Sequence, residues 1–333
     1  MAYIIKRIMM IIPILICVSI ISFSLLKLTP GDPAQVMLGS FASEERVAEL
    51  REKLGLDRPI LIQYWSFFTG IFRGDLGTSY ITGDSVIKEI MSRFPATFEL
   101  TTVSMFFAII IAVILGIISA IKRNSAFDII STTTAVIGMA TPAFWLGLLL
   151  MYFFSIKLNI LPLGGRIDLG ISLEHYTNIY ILDSIISSNF LAFKNVIRHL
   201  ILPAIVMAIY PVAEVSQIVR SNMIDVLNQD YIRTAKAKGL TNRQVNYKHA
   251  LKNALIPVIT VVGIRLGKQF AGALIVEVIF SWPGIGRLAF NAIQSRDFPV
   301  IQGTILFIAL IFIVLNLIVD TLYVFIDPRI KFI

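Results

Sequence analysis

Six stretches of the chain stay apolar for long enough to cross a lipid bilayer. They cover about 8–27, 100–121, 129–156, 199–219, 254–280 and 298–326, each close to or above the roughly 20 residues that a spanning helix needs. None shows the period-two alternation of a barrel strand, and only helices and closed barrels satisfy every backbone group in lipid. The pattern therefore predicts an all-α integral membrane protein with six transmembrane helices. Its divisions are the N-terminus and first helix (1–28), a segment outside the membrane (29–99), and a core of five spans (100–333) that carries a polar loop at 220–253. The first apolar run exceeds the ~7–15 residues of a signal-peptide core, and no A-x-A-like site follows it, so it reads as a retained span.

The polar positions sort by side. Lys6 and Arg7 precede the first span, Lys122 and Arg123 lie between the second and third, seven cations from Arg220 to Lys252 lie between the fourth and fifth, and Arg329 and Lys331 follow the sixth. Basic residues collect in cytoplasmic loops, so both termini are expected in the cytoplasm. The segments 28–99, 157–198 and 281–297 then fall on the opposite face. The first of them holds "SEERVAELREKL", in which Ser43 is a candidate N-cap and Glu44 and Glu45 suit the positive end of a helix dipole. Val47, Leu50 and Leu54 share a face and Gly55 is placed to stop the helix, so a small ordered cap is expected there.

Composition narrows the function. Of 333 residues 56% are hydrophobic and only 15% are charged, against about a quarter charged in soluble domains. The net charge of +8 is accounted for by the basic loops, with no need for a nucleic-acid partner. Cys17 is the only cysteine, which excludes an internal disulfide. His175, His199 and His249 are widely separated and no H-E-x-x-H occurs, so no hydrolytic or metal constellation is written in the sequence and no enzyme is expected. The nearest approach to a phosphate loop, "GIRLGKQ" at 263–269, has one residue too few between its glycines and lacks the Ser or Thr that meets Mg²⁺. Gly263 and Gly267 fit either a G-x-x-x-G helix contact or two incidental glycines.

Charges inside the spans are costly, about 2.5–3.5 kcal/mol each at a helix centre, and need a partner or a wet cavity. They are Glu214, Arg265, Lys268, Glu277 and Asp320. Glu214, Arg265, Lys268 and Asp320 are candidates to line a path for zwitterionic substrates. The competing assignment pairs Glu214 or Asp320 with Arg265 or Lys268 as struts. Glu277 and Lys268 are expected near helix ends, where long side chains reach the interface.

The polar loop is more than a charged tether. "RTAKAKGLTNRQVNYKHALKNALIP", residues 233–257, holds six Lys or Arg and no acid. A short helix closes at Gly239. Thr241 and Gln244 have capping-box spacing, and Leu240 and Val245 occupy the staple positions, so a second helix starts at once. Two helices joined at a tight corner form a rigid knob.

The residues of this knob resemble the peptide and nickel branch of permease subunits in ATP-binding-cassette importers. That branch reads R-T-A-x-A-K-G-L and then H-A-L-x-N-A-x-x-P, matched here by Arg233, Thr234, Ala235, Ala237, Lys238, Gly239, Leu240, His249, Ala250, Leu251, Asn253, Ala254 and Pro257. "PGDP" at 30–33, "LGLDRP" at 54–59, "QY" at 63–64, "GDLGTS" at 74–79, "RFPAT" at 93–97, "FSWPGIGRL" at 280–288 and "DPR" at 327–329 extend the likeness over nearly the whole chain. The resemblance implies a transport subunit in a bacterial inner membrane that binds no cofactor. Its partners would be a second, similar permease, two ATP-binding subunits that use ATP and magnesium, an extracytoplasmic substrate-binding protein, and membrane lipid. The knob, from Arg233 to Thr241 with His249, would be the coupling element that docks on an ATP-binding subunit. Within the branch "GGR" at 164–166 and "ILDSI" at 181–185 look like dipeptide importers. Nickel or metal-chelate import is the alternative, disfavoured by the scarcity of acids and histidines in the spans. A self-contained secondary transporter or channel would show inverted repeats, and none is visible.

Overall fold

The computed structural model describes residues 2–28, 32–39 and 42–326. The side chains of Lys6, Arg7 and Asp320, part of "PGDP", and "DPR" with Arg329 and Lys331 lie outside the described residues. Among the described residues all regular structure is helical. Helix α1 (Ala2–Leu28) is followed outside the bundle by α2 (Pro33–Leu38), α3 (Glu44–Lys53) and α4 (Ile60–Phe72). The core then holds α5 (Val86–Ile121), α6 (Ala126–Ala140), α7 (Ala143–Leu150), α8 (Tyr180–Ile186), α9 (Phe190–Leu227), α10 (Asp230–Ala237), α11 (Leu251–Ile279), α12 (Ile285–Ser295) and α13 (Phe298–Ile326). Two wider-wound turns, Met151–Lys157 and Gln244–Ala250, extend α7 and precede α11.

Four described helices are long and apolar enough to cross a membrane, α5, α9, α11 and α13, and α6 with the α7 segment makes a fifth if counted as one broken span. Within the apolar run 129–156, read in the sequence as one span, the two halves of this pair meet at 104°. The cause is local. Thr141 precedes Pro142 and is held extended at φ −80°, ψ 122°, since the proline ring disfavours helical geometry in the residue before it. By contrast Pro203 and Pro211 sit inside an unbroken α9.

α5 is the mast of the bundle, and three buried clusters are stacked along it. Val86 and Ile90 pack with Ile285, Leu288 and Val300 at one end. Ala96 and Leu100 pack with Leu202, Phe280 and Trp282 in the middle. Ala112 and Ile117 pack with Val219, Met223 and Ile232 at the other end. α5 and α9 approach closely because Gly116 has no side chain. A methyl there would lie 2.7 Å from the Ser216 carbonyl oxygen. Gly263 and Gly267 likewise sit against Val319 and Phe312 of α13, so the G-x-x-x-G reading holds and the two glycines are a packing contact.

The helix expected in "SEERVAELREKL" forms, with one difference. Val47 and Leu50 of α3 and its C-cap Leu54 are half-buried, and Gly55 ends the helix at φ +66° with Leu56 N–H donating to the Arg51 carbonyl at 3.0 Å. Ser43 stands at the N-cap but makes no side-chain capping bond, leaving Glu44 and Glu45 to meet the helix dipole.

Candidate functional site

The cationic knob is built as its residues dictate. α10 closes with the Gly239 amide donating to the Lys236 carbonyl at 3.0 Å and the Leu240 amide to the Ala235 carbonyl at 3.4 Å. This double closure needs a left-handed residue, and Gly239 supplies it at φ +80°. The next helix opens on a complete capping box. The Thr241 amide donates to Gln244 Oε1 at 3.0 Å and the Gln244 amide to Thr241 Oγ1 at 3.4 Å. Tyr231 ties the two halves together by accepting from Asn253 Nδ2 at 2.8 Å.

The knob has an inner and an outer face. Ile232, Ala235, Val245 and Ala250 are buried with the ends of α5 and α9, and Leu240 packs against them. Arg233, Thr234, Lys236, Ala237, Lys238, Gly239 and Thr241 point outward. Arg233 makes an exposed pair with Asp230 at 3.3 Å, and Thr234 Oγ1 donates to the Asp230 carbonyl at 3.1 Å. His249 is half-buried at the base. Arg123 and Lys236 both line a polar recess of about 340 Å³ under the corner, so the basic loops after α5 and α9 meet at one end of the molecule. Arg220 reads in the sequence as one more loop cation. Here it clamps α9 to α6 through a two-pronged bond to buried Asp128, at 2.5 and 2.8 Å.

The charges within the spans separate into kinds. Glu214 of α9 and Arg265 of α11 form an ion pair, with the guanidinium 4.7 Å from the Tyr210 ring centre. The pairing alternative is thus realised for these two, while both stay partly exposed. Lys268 is exposed and joins no ion pair among the described residues. Asp320 falls in α13. Lys268 lies in the middle of α11, which corrects its expected place near an end. Glu277 lies in the last turn of α11, near a helix end as expected, but its side chain turns into the core instead of reaching the interface. It is fully buried, accepting from Thr97 Oγ1 at 2.6 Å and from the Arg287 amide at 3.0 Å. Thr97 Oγ1 also accepts the Ile285 amide at 2.8 Å. "RFPAT" and "FSWPGIGRL" therefore meet at one carboxylate that caps α12.

Sequence reasoning missed a second buried charge centre at the same end. Arg166 of "GGR" donates to Glu99 of α5 at 2.5 Å and to the Asn178 carbonyl at 2.9 Å. Its guanidinium lies 3.6 Å from the Tyr180 ring centre, and Glu99 also accepts the Ile181 amide at 2.7 Å. Beside it Asp168 accepts from Asn195 Nδ2 at 2.5 Å and faces His199 Nε2 at 3.1 Å. The Asn195 hydrogen bond, and then that from His199, hold the Asp168 carboxyl below its usual range. A lone glutamate in an apolar run was the signal for Glu99. Its partner lies 67 positions away, and no periodicity links the two.

Spans, intramembrane charges and a rigid polar knob define a multi-pass membrane protein of the transport class. Residues 112–332 match the family described as binding-protein-dependent transport system inner membrane component, and residues 1–101 match its N-terminal companion. The chain belongs to this family. It is a transport subunit of the inner membrane, not an ATPase. It is 48% identical to the dipeptide transport system permease protein DppB of Alkalihalophilus pseudofirmus, covering 100% of both chains. It is 42% identical to the di/tripeptide transport system permease protein DppB of Pseudomonas aeruginosa, covering 99% of each. It is 38% identical to the glutathione transport system permease protein GsiC of Salmonella choleraesuis, again over 99% of each.

Proposed function

We propose that this chain is the permease subunit of an ATP-driven importer of dipeptides and short oligopeptides. The observation that carries the substrate class is likeness over the full length to permeases named for dipeptides, di/tripeptides and glutathione. Nickel has no comparable support. In this reading α1 and the broken α6–α7 pair join the four long helices to make six spans, with both termini on the side of the knob. A second permease completes the pathway, two ATP-binding subunits use ATP and magnesium, and a binding protein delivers peptide to the outer face.

The knob is the coupling element. Its buried face roots it in α5 and α9, and its rigid corner presents Arg233, Lys236 and Lys238 to a partner. A corner fixed by two caps transmits displacement, whereas a floppy basic loop would absorb it. Tyr210, Glu214, Arg265 and Lys268 mark the pathway side of α9 and α11. ATP-driven uptake in proteoliposomes containing the subunits from neighbouring genes tests the whole. Labelled dipeptide is expected to accumulate and Ni²⁺ is not. Uptake of Ni²⁺ alone would overturn the substrate class.

A further inference from the structure

α4 lies outside the spans, yet it is one of the most apolar segments of the chain. Leu61, Trp65 and Phe72 form a stripe on it that is 81%, 64% and 70% exposed. Phe68 sits between the two rings at 6.0 and 5.1 Å, and Tyr64 stacks on Phe68 at 5.8 Å. Rings of this kind concentrate at the boundary between lipid and water, where helices lie flat with the apolar face down.

Two cavities flank this helix and share Leu76 as a wall. One, of about 380 Å³, is lined on its polar side by Arg58, Gln63, Asp75, Tyr80 and Gln302. The other, of about 270 Å³, is an apolar slot among α1, α4, α5 and α13, lined by Ile12, Ile16, Phe68, Met91, Leu306 and Leu310. Both charges of the polar cavity are presented by built turns. Gln63 Nε2 donates to the Leu56 and Arg58 carbonyls at 2.8 and 2.7 Å, which holds the Arg58 loop. Asp75 Oδ1 accepts the Gly77 amide at 2.8 Å, which leaves Oδ2 for a ligand cation. Burial, with Asp297 nearby, pushes the Tyr80 phenol up to about 12, so it remains a neutral donor. Among the described residues Arg58 and Asp75 form no ion pair with each other or with any other side chain.

We infer that this pair of cavities seats one zwitterionic phospholipid, with the phosphate on Arg58, the headgroup ammonium on Asp75, and an acyl chain in the slot beneath α4. A cation and an anion in one polar chamber match a phosphate and an amine joined by a short linker. An apolar slot against the same wall matches the hydrocarbon that must follow. A soluble dipeptide fits the first chamber's charges but has nothing to place in the second. The bound lipid would fix α4 in the outer leaflet and so fix the cap that "LGLDRP" and "GDLGTS" build.

The test is retention of lipid by the full-length chain in nanodiscs holding equal amounts of phosphatidylethanolamine and phosphatidylglycerol, followed by extraction into mild detergent and native mass spectrometry. Wild type is expected to retain phosphatidylethanolamine about tenfold over phosphatidylglycerol, equivalent to about 1.4 kcal/mol. Arg58→Gln with Asp75→Asn is expected to abolish that preference, and Leu76→Trp to lower retention of both lipids by blocking the slot. Each variant is checked for monodisperse elution and unchanged helix content, and one that fails is replaced by Asp75→Asn alone. Brominated phosphatidylethanolamine should quench Trp65 in a Trp145→Phe background, where the other remaining tryptophan, Trp282, is fully buried. Equal retention of the two lipids by wild type, a preference that survives the double substitution, or displacement of the lipid by millimolar dipeptide overturns the assignment. So does shielding of Trp65 by a second copy of the chain. The readout involves no transport, so it stands apart from the peptide assignment.

Discussion

At the scale of single residues the end of the bundle around Trp282 is held by two carboxylates that water does not reach, Glu99 and Glu277. Glu99 and Arg166 are each almost wholly buried, and removal of one partner of such a pair strands the other in a low-dielectric interior. Arg166→Ala is expected to cost about 3–5 kcal/mol of stability. Replacing both partners with apolar residues, Glu99→Leu with Arg166→Met, is expected to recover most of it. Thermal unfolding in detergent reads both, and equal losses in the single and double variants would refute the pair as the cause. Asp168 gives a pH dependence at the same end. Its folded-state pKa is depressed, by the Asn195 hydrogen bond first and that of His199 next. Its contribution is therefore fully present above the unfolded value of about 3.9 and is lost as pH falls through that value toward the folded one. Amide exchange over 163–170, corrected for intrinsic rates, is expected to quicken below about pH 4. Asn195→Ala should move the onset to higher pH, and an onset that does not move would show that Asn195 is not the dominant cause.

At the scale of elements the knob stands on one backbone angle. A methyl on Gly239 would meet nothing within 4 Å, so space does not forbid a Cβ. The positive φ does, at about 1–2 kcal/mol, most severely for a β-branched residue. Gly239→Val is therefore expected to insert normally while shifting α10 against the following helix. Peptide uptake in the assembled transporter should fall by about tenfold or more, as expected when a few kcal/mol of strain moves a docking element, while ATP hydrolysis continues. Normal uptake would sink the coupling role. This corner was legible in the sequence because every part of it is local: Gly239, Thr241 and Gln244 lie within six positions. The 104° elbow at Thr141–Pro142 was less so, because a proline in an apolar run fits equally an intact helix, as Pro203 and Pro211 in α9 demonstrate. Of the buried charges only Glu277 stood out in the sequence as an anomaly, and no partner could be read for it or for Glu99. Glu277 bonds Thr97 across 180 positions and Glu99 bonds Arg166 across 67, and hydrophobic period carries no information about contacts at that range.

At the scale of the whole molecule the question is why a bundle keeps an ion pair that stays partly exposed within its spans. Glu214 and Arg265 join α9 to α11, two helices that also carry the knob at their shared end, since α10 follows α9 and the turn at Gln244–Ala250 leads into α11. A displacement of the knob is thereby delivered to the two helices that bear the pair. If the pair were only a strut, reversing it by Glu214→Arg with Arg265→Glu would restore both stability and transport. If the pair also faces the peptide, the reversed pair should restore insertion and thermal stability but redistribute selectivity. Lys268, one turn from Arg265 and exposed, stays in place and now adjoins an acid. Uptake of peptides with acidic side chains should then fall relative to those with basic ones by about tenfold, as a change of about 1.4 kcal/mol in charge complementarity gives. Competition between lysine- and glutamate-containing dipeptides in proteoliposomes measures this ratio directly. A wild-type ratio in the reversed variant, with stability restored, assigns the pair to structure alone and leaves Lys268 as the charge on which selectivity must be sought.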